Sequence, residues 1–494
     1  MEQGLAEKLD ALCQNWGISG EVCVTYQNEI VYNHISGMAD WESQIPFCWD
    51  TNCYIASVTK QFTAVCIMLL YEQKTVKLND TLDRYIPEYS HASEITIRQL
   101  LNMTSGIIDY QNDLLMDRIL AEKSSTTLST RDFFIHRERF LAAPPQCAFS
   151  DILQMVNDQP LKALPGKDVE YCNTNYAFLS EIVTRVSGMP IGAFMAKYIF
   201  KPLAMEHTVF GAAHSEAVSY LKFQSERLLL GRSTFETGDG AICTTAEELS
   251  LWLRAILRGD LLKKSSWKQV FSMFKGEYGF GWRQTGPWYN HGGVDLGYRC
   301  NVFLNFEKQL SIAVVLNEGP EERSEEEDVT FEKNLRKLIY AHYIYPEKLR
   351  LVRLDNSNLR ECLELQVNRE QRQYLAPNYR SIALAYADKK SARPFVLMDG
   401  KNSVGFVMFS IDKKKEIYDI WRFMIDHLYQ GRGYGKAALQ LSLDYLKKAG
   451  AKRVILSVKV ENEVAQKLYR NFGFLPTGSR SDGEIEMAVD LVES

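Results

Sequence analysis

Paired cysteines are missing from this chain. Ten cysteines are scattered through the 494 residues with no Cys-x-x-Cys spacing. That leaves no zinc ligand set and no dithiol redox motif, and in a chain this large they read as reduced core thiols. Long apolar runs are missing too, since none approaches the ~18 residues that a membrane-spanning helix needs. There is no excess of positive charge: the formal net charge is −5, and nothing in that balance suggests a nucleic-acid partner. The opening residues, Met-Glu-Gln-Gly-Leu-Ala-Glu-Lys-Leu-Asp, lack the apolar core of a secretory signal and read as a charged amphipathic helix. Together these absences predict a cytoplasmic protein with neither membrane nor nucleic acid among its partners. They leave oligomeric state open.

What is present is ordinary globular composition, 46% hydrophobic and 24% charged, in a chain too long for one core. Two or three domains are expected. The stretch Tyr54-Ile55-Ala56-Ser57-Val58-Thr59-Lys60 is the first to carry chemistry. At a helix start, Ser57 and Lys60 lie about one turn apart and share a face. Phe62, Val65, Cys66 and Leu69 follow at the spacing of a buried helix. A serine at a helix N-terminus meets a field that favours a developing anion, and a buried, partly neutral lysine can take up its proton. The same residues also describe an N-cap serine with a solvated lysine.

Before this stretch, Gly20 to Tyr32 reads as a two-stranded hairpin at a sheet edge, turning at Gln27-Asn28. After it, Ile95 to Gly106 reads as a helix closed by a Ser-Gly stop, and residues 111–164 carry a mostly helical pattern suited to a lid. Tyr171-Cys172-Asn173 is the second piece of chemistry. A tyrosine beside an ammonium is a candidate base, because the cation favours the phenolate. Asn173 has an amide to donate to a substrate carbonyl or to hold the lysine. The plainer alternative is a buried tyrosine followed by a capping asparagine. The third piece is His291-Gly292-Gly293-Val294, after Tyr278-Gly279-Phe280-Gly281-Trp282, which reads as a strand. The glycines admit close backbone approach, so the N–H groups of Ser57 and Val294 are candidates for an oxyanion hole. A hairpin turn with a surface histidine reads equally from the residues alone.

Ser-x-x-Lys, then Tyr-x-Asn, then His-x-Gly, in this order, resembles the serine beta-lactamase and penicillin-binding-protein superfamily. The nearest branch is class C, esterase and D-aminopeptidase-like. Leu100–Gly106 and Tyr278–Trp282 are similar to further family segments, and the resemblance spans roughly residues 5–340. It implies an α+β fold, an antiparallel sheet flanked by helices with a helical subdomain. By it Ser57 is the acylated nucleophile, Lys60 its proton partner, Tyr171 the base and Asn173 a substrate-amide contact. His291 stands where lactamases carry the lysine of Lys-Thr-Gly. A histidine is mostly neutral at pH 7, which weakens a salt bridge to a substrate carboxylate and favours amide or ester substrates over penicillins. Met103 replaces a histidine common in relatives, a change expected to alter packing and not chemistry.

Ser311–Leu316 reads as the last strand of a first domain over residues 1–345. An acidic run opens a helix to about Tyr343, which Pro346 ends. The pattern then restarts as an α/β unit over 346–494: strands at Leu349–Val352, Pro394–Leu397, Ser403–Phe409 and Tyr418–Ile425, with a helix around Leu359–Val367. The last of these strands leads into Gln430-Gly431-Arg432-Gly433-Tyr434-Gly435-Lys436 and a helix with Leu439, Leu443 and Leu446 on one face. Strand, glycine-rich loop and helix is the arrangement that cradles a pyrophosphate. The loop has neither Walker spacing nor the acidic residue of a dinucleotide fingerprint.

This Gln-x-x-Gly-x-Gly form resembles the acetyl-CoA loop of the GNAT acetyltransferases. Asn462, Ala465, Tyr469 and Gly473-Phe474 are similar to later family positions, and the match spans roughly 349–491. It implies acetyl-CoA as co-substrate, with the main chain of Met424 and Ile425 on the pantetheine and Gln430–Lys436 on the pyrophosphate. Asn462 contacts the CoA arm, and Tyr469 protonates the leaving thiolate. The base stays open between Asp426, Glu461 and a water chain. Glu370–Asn378, Ser381, Ala385-Tyr386 and Asp482–Met487 resemble the polyamine-acetylating branch; their carboxylates suit a polycationic amine, and they read nearly as well as a solvated acidic turn. The whole chain is expected to be a bifunctional enzyme, a serine acyl-hydrolase joined to an N-acetyltransferase for a polyamine or amine antibiotic. The alternatives are a front domain that only presents substrate, and a beta-lactamase or D,D-peptidase with an added acetyltransferase.

Overall fold

Antiparallel pairing organises the first half of the chain, in a six-stranded sheet ordered Arg283–Thr285, Trp288–Asp295, Tyr298–Asn305, Leu310–Leu316, Gly20–Tyr26 and Glu29–Ser36. The computed structural model describes residues 3–115, 148–223, 226–234, 236–319, 331–343, 349–400, 402–481 and 483–491. The acidic run, Pro346, Asp482 and residues 116–147 of the proposed lid lie outside the described residues. The chain divides into two compact units, Met1–Arg336 and Lys337–Ser494, within the helix Phe331–Tyr343. Among the described residues, no helix is long and apolar enough to cross a membrane.

In the first unit, Leu310–Leu316 is buried along its whole length, as its near-continuous apolar sequence requires of a central strand. Gln27 and Asn28 both take positive φ, 49° and 69°, and make the tight turn between Gly20–Tyr26 and Glu29–Ser36. The sequence places this hairpin at an edge, but only Glu29–Ser36 is one. Gly20–Tyr26 pairs on its other side with Leu310–Leu316, Val24 opposite Ile312, and local patterning carries no trace of so distant a partner. Helix Ala246–Arg258 packs on these two central strands. Thr245 caps it, and the Glu21 carboxylate accepts the Ala246 N–H at 2.7 Å. On the hairpin side, Asp10 of helix Gln3–Trp16 accepts the Tyr32 hydroxyl at 2.8 Å.

Helix Thr59–Glu72 is buried on nearly every side. It packs against helix Asn173–Ser187, and Phe62 stacks on Trp252 with ring centroids 4.1 Å apart. The helix expected over 95–106 runs only from Ile97 to Leu101, opened by a Thr96–Gln99 capping box. Met103 at φ 61° and Gly106 at φ 73° turn the chain instead. That turn docks on the Asn173 helix: Ser105 Oγ donates to Asn175 Oδ1 at 2.6 Å, and the Asn175 amide meets the Met103 sulfur at 3.5 Å. Tyr278–Trp282 is not a strand. It is a bend with isolated bridges at Tyr278, and Gly281 takes φ 78°. A Cβ on Gly281 would lie 2.9 Å from the Gln61 Cα, so the bend presses its glycine onto the first turn of the Thr59 helix.

The second unit holds a seven-stranded sheet ordered Leu349–Arg353, Ala392–Asp399, Asn402–Asp412, Ile417–Ile425, Arg453–Lys459, Glu484–Asp490 and Leu475–Ser481. All pairs are antiparallel except Ile417–Ile425 with Arg453–Lys459, which are joined by the crossover helix Tyr434–Lys448. The expected helix at 359–367 ends at Glu364. Tyr445 of the crossover helix packs on Phe395 and Phe409, each 5.0 Å away.

Candidate functional site

In the first unit, Ser57 sits in the short turn Ala56–Val58 that enters helix Thr59–Glu72. Ala56 ahead of it takes φ 45°, a left-handed conformation costly for any residue with a Cβ. Lys60 is fully buried one turn on. Its Nζ donates to Ser57 Oγ at 2.9 Å, Asn173 Oδ1 at 2.7 Å and the Asp239 carbonyl at 2.7 Å. The three donors of an ammonium are thereby matched one to one. Asn173 starts its helix and is itself anchored, with its backbone N–H 2.8 Å from Asp109 Oδ2 and its amide 3.1 Å from Gln111 Oε1. Of the two roles open to Asn173, the structure displays the one that holds the lysine.

The strand Trp288–Asp295 crosses directly over the Ser57 turn. A Cβ on Gly293 would lie 2.1 Å from the Ile55 carbonyl oxygen and 3.0 Å from the Ser57 nitrogen, so only glycine fits. Val294, 60% exposed, then lines the same cleft as Ser57, Gln111, Asn173, Asp239 and Asp295. His291 is buried, with Nδ1 2.7 Å from the Gly292 carbonyl and Nε2 2.9 Å from the Tyr278 hydroxyl. A carbonyl only accepts, so Nδ1 carries the proton, and Tyr278 donates to Nε2. Burial, with Lys60 nearby, pushes the imidazole down to about 3, so it is neutral at pH 7.

Tyr171 comes to the same place by its ring. Lys60 Nζ lies 5.1 Å from the ring centroid and the Arg283 guanidinium carbon 5.4 Å. No hydrogen bond joins its hydroxyl to Ser57 or Lys60 among the described residues. Asp239, wholly buried, accepts the Tyr110 hydroxyl at 2.9 Å, and burial raises its carboxyl above the ordinary range against the pull of Lys60.

In the second unit the loop Gln430–Gly433 enters helix Tyr434–Lys448, with Gly431 and Gly433 at φ 77° and 83°. A Cβ on Gly431 would meet nothing within 4 Å, so the loop's outer face is open. Gln430 ties the loop down, donating to Gln371 Oε1 and the Ile425 carbonyl, both at 2.9 Å. Arg432, Gly435 and exposed Lys436 flank this helix start, whereas Tyr434 turns inward and donates to Asp399 Oδ2 at 2.6 Å. Strands Ile417–Ile425 and Arg453–Lys459 pair only at Asp419 and Ile455, so the edge bearing Met424 and Ile425 is left unpaired on that side. Asn462 caps helix Glu463–Arg470 through the Ala465 N–H at 3.2 Å. Tyr469 is buried between Phe423 and Phe474, and burial pushes its hydroxyl's pKa up.

Residues 5–336 match the family model described as Beta-lactamase. The chain belongs to the beta-lactamase family. Residues 359–474 match the Acetyltransferase (GNAT) family, so a GNAT domain follows the beta-lactamase domain. Among similar proteins, penicillin-binding protein 4* of Bacillus subtilis is 26% identical over 372 residues, 68% of this chain and 76% of that protein. D-aminopeptidase of Brucella anthropi is 26% identical over 323 residues, 62% of this chain but only 57% of that enzyme. Two solved structures share the fold of the beta-lactamase domain. A penicillin binding protein from Bacillus halodurans has TM-score 0.55 and 21% identity over 68% of this chain and 99% of its own. A D-amino acid amidase from Ochrobactrum anthropi has TM-score 0.52 and 21% identity over 64% and 92%.

Within the beta-lactamase domain the structure brings together Ser57, Lys60, Asn173, Tyr171 and His291, which the sequence spreads over 235 positions. Sequence reasoning missed Asp109, Gln111, Asp239, Tyr278 and Arg283 as parts of this site. Only Tyr278 lies within a motif that the sequence singles out, Tyr278–Trp282, and there it reads as part of a strand.

Proposed function

We propose that the chain is a bifunctional enzyme, a serine acyl-hydrolase for amides or esters followed by an acetyl-CoA-dependent N-acetyltransferase. The observation that carries the first half is the Lys60 ammonium held between Ser57 Oγ and the carbonyl oxygens of Asn173 and Asp239. When Lys60 is neutral, its two remaining N–H groups keep the two carbonyls, and its lone pair turns to Ser57. Ser57 Oγ then attacks the substrate carbonyl as Lys60 takes its proton. The N–H groups of Ser57 and Val294 receive the oxyanion. The acyl-enzyme ester bond is broken by water after the amine or alcohol departs. Tyr171, half-buried with its ring beside Lys60, passes the proton to the leaving group. Neutral His291 offers a substrate carboxylate no charge, which favours amide or ester substrates of the kind named for the D-aminopeptidase and D-amino acid amidase relatives. A fluorophosphonate probe tests this half: labelling at Ser57, lost in Ser57→Ala, supports it, and no labelling makes the domain a substrate-presenting module.

One observation favours a second reading of the same site. Arg283 is exposed on the Tyr171 and Tyr278 rings, 5.4 and 5.6 Å from their centroids, and has no carboxylate partner among the described residues. A substrate carboxylate fits that cation, which keeps a beta-lactam or D,D-peptide in play. Turnover of a chromogenic cephalosporin, lost in Arg283→Ala, selects this reading. Turnover of D-amino acid amides alone selects the first.

For the GNAT domain the carrying observation is the open glycine loop at the start of a 15-residue helix, beside the unpaired edge of Met424 and Ile425. Backbone N–H groups of Gln430–Lys436 hold the pyrophosphate and the Met424–Ile425 main chain holds the pantetheine. Asn462 borders the CoA arm while it caps its helix. Tyr469, kept protonated by burial, protonates the thiolate. The acceptor is an amine, a polyamine or an amine antibiotic. Acetyl-CoA turnover against a panel of both, with Tyr469→Phe alongside, tests it.

A further inference from the structure

Met103 stands where the sequence predicts a change of packing alone, yet the chain around Tyr171 is fastened to it. It is fully buried at φ 61°, in the turn after helix Ile97–Leu101. A side chain held in that left-handed conformation is costly, so its surroundings have to keep it there. The Glu170 N–H donates to the Met103 carbonyl at 2.8 Å, and the Cys172 N–H donates to the Met103 sulfur at 3.4 Å. The Asn175 amide gives an N–H to the same sulfur at 3.5 Å. Ser105 spends its hydroxyl proton on Asn175 Oδ1 while it accepts the Ile107 N–H at 3.1 Å, which fixes that amide with its nitrogen on the sulfur. Alongside, the Gly166 N–H reaches the Thr104 carbonyl and the Lys162 N–H the Gly106 carbonyl, both at 2.7 Å.

Glu170 and Cys172 flank Tyr171, and Cys172 and Asn175 bracket Asn173. These are the two residues that meet Lys60: Asn173 Oδ1 lies 2.7 Å from its Nζ, and the Tyr171 ring centroid 5.1 Å. We infer that Met103 is a positioning residue of the acyl-hydrolase site, its sulfur holding the Cys172 N–H and the Asn175 amide so that Tyr171 and Asn173 face Lys60. The inference rests on the proposed serine acyl-hydrolase. A thioether is a weak acceptor, but Cys172 and Asn175 are both buried, and the Cys172 N–H has no other acceptor among the described residues. A buried N–H left unpaired costs more than the bond itself is worth, so without the sulfur the segment moves to find a partner and takes Tyr171 and Asn173 with it.

An acceptor and a packing group respond oppositely to substitution. Leucine matches methionine in bulk and cannot accept, whereas glutamine matches its length and offers a carbonyl. A residue that only packs tolerates leucine and rejects glutamine; one that holds N–H groups does the reverse. The test is the rate constant for Ser57 labelling by a fluorophosphonate probe, with the full chain. The half-saturating probe concentration and the urea midpoint are measured alongside. Met103→Leu should label about 10- to 100-fold more slowly, with half-saturation within about twofold of native. Met103→Gln should label within about threefold of the native rate, even where its urea midpoint is lower. Should Met103→Leu not fold, norleucine at position 103 exchanges only the sulfur for a methylene and should slow labelling in the same way. Native-rate labelling by the leucine or norleucine form, or a glutamine form as slow as the leucine one, overturns the assignment and leaves the Ser57 chemistry standing. A native chain that does not label at Ser57 removes the acyl-hydrolase reading and this inference with it.

Discussion

His291 keeps its single proton on Nδ1 and presents Nε2 to the Tyr278 hydroxyl, and that arrangement has a measurable cost in acid. Its folded pKa of about 3 lies below the ordinary 6.5, so between those values the unfolded chain binds a proton that the folded chain refuses. Stability therefore falls as pH drops below 6.5, by up to about 1.4 kcal/mol per pH unit from this group. Native protein should lose roughly 1–2 kcal/mol more than His291→Asn between pH 7 and 5 in urea titrations, and equal losses would mean the imidazole titrates freely. Lys60 bears on rate. Lys60→Ala removes the only group hydrogen-bonded to Ser57 Oγ among the described residues, and acylation measured by stopped flow should slow by about 10²–10⁴. Ser57, Lys60, Tyr171, Asn173 and His291 were legible because each lies in a short motif. Asp109, Asp239 and Arg283 were not, since a lone acid in a loop or a lone cation on a short strand has no spacing to read and becomes part of a site only through the fold.

At the scale of elements, the beta-lactamase domain depends on two places where glycine lets backbone meet backbone around the Ser57 turn. Gly293→Ala sets a methyl against the Ile55 carbonyl oxygen, so the strand Trp288–Asp295 must back away. The expected result is about 1–3 kcal/mol of destabilisation together with loss of probe labelling at Ser57; labelling at the native rate would mean the strand does not shape the site. Glu21 links strand Gly20–Tyr26 to the start of helix Ala246–Arg258, and burial raises its carboxyl to about 7. Between pH 4.5 and 7 the folded chain holds a proton that the unfolded chain releases, so stability is lost as pH rises through that window. Glu21→Gln keeps an acceptor for the Ala246 N–H and removes the titration. In urea at pH 5 and pH 8, the variant should gain about 2–3 kcal/mol on the native chain at the higher pH. Periodicity gave the GNAT strands between Leu349 and Ile425 closely, because each is local and bounded by turns, but it missed Leu475–Ser481 and Glu484–Asp490, where polar residues alternate and read as an acidic turn. It failed at Tyr278–Trp282 and at 102–106, where apolar residues pack around positive-φ turns, and it carries no information on which distant strands pair.

At the scale of the whole molecule the question is why a beta-lactamase domain and a GNAT domain share one chain. Cleaving an amide frees an amine, and acetylating an amine caps it, so a common amine-bearing compound joins the two reactions with no third step. The proposed chemistry separates the contributions cleanly, because Ser57 serves only the first reaction and Tyr469 only the second. An acylated polyamine supplied with acetyl-CoA should yield the acetylated polyamine in one vessel with the native chain. Ser57→Ala should leave the starting amide untouched while still acetylating free polyamine, and Tyr469→Phe should accumulate the free amine. Mass spectrometry of the three mixtures decides the matter. A hydrolysis product that the native chain releases and never acetylates would mean that the two domains serve separate substrates, and the fusion would then need an explanation other than shared chemistry.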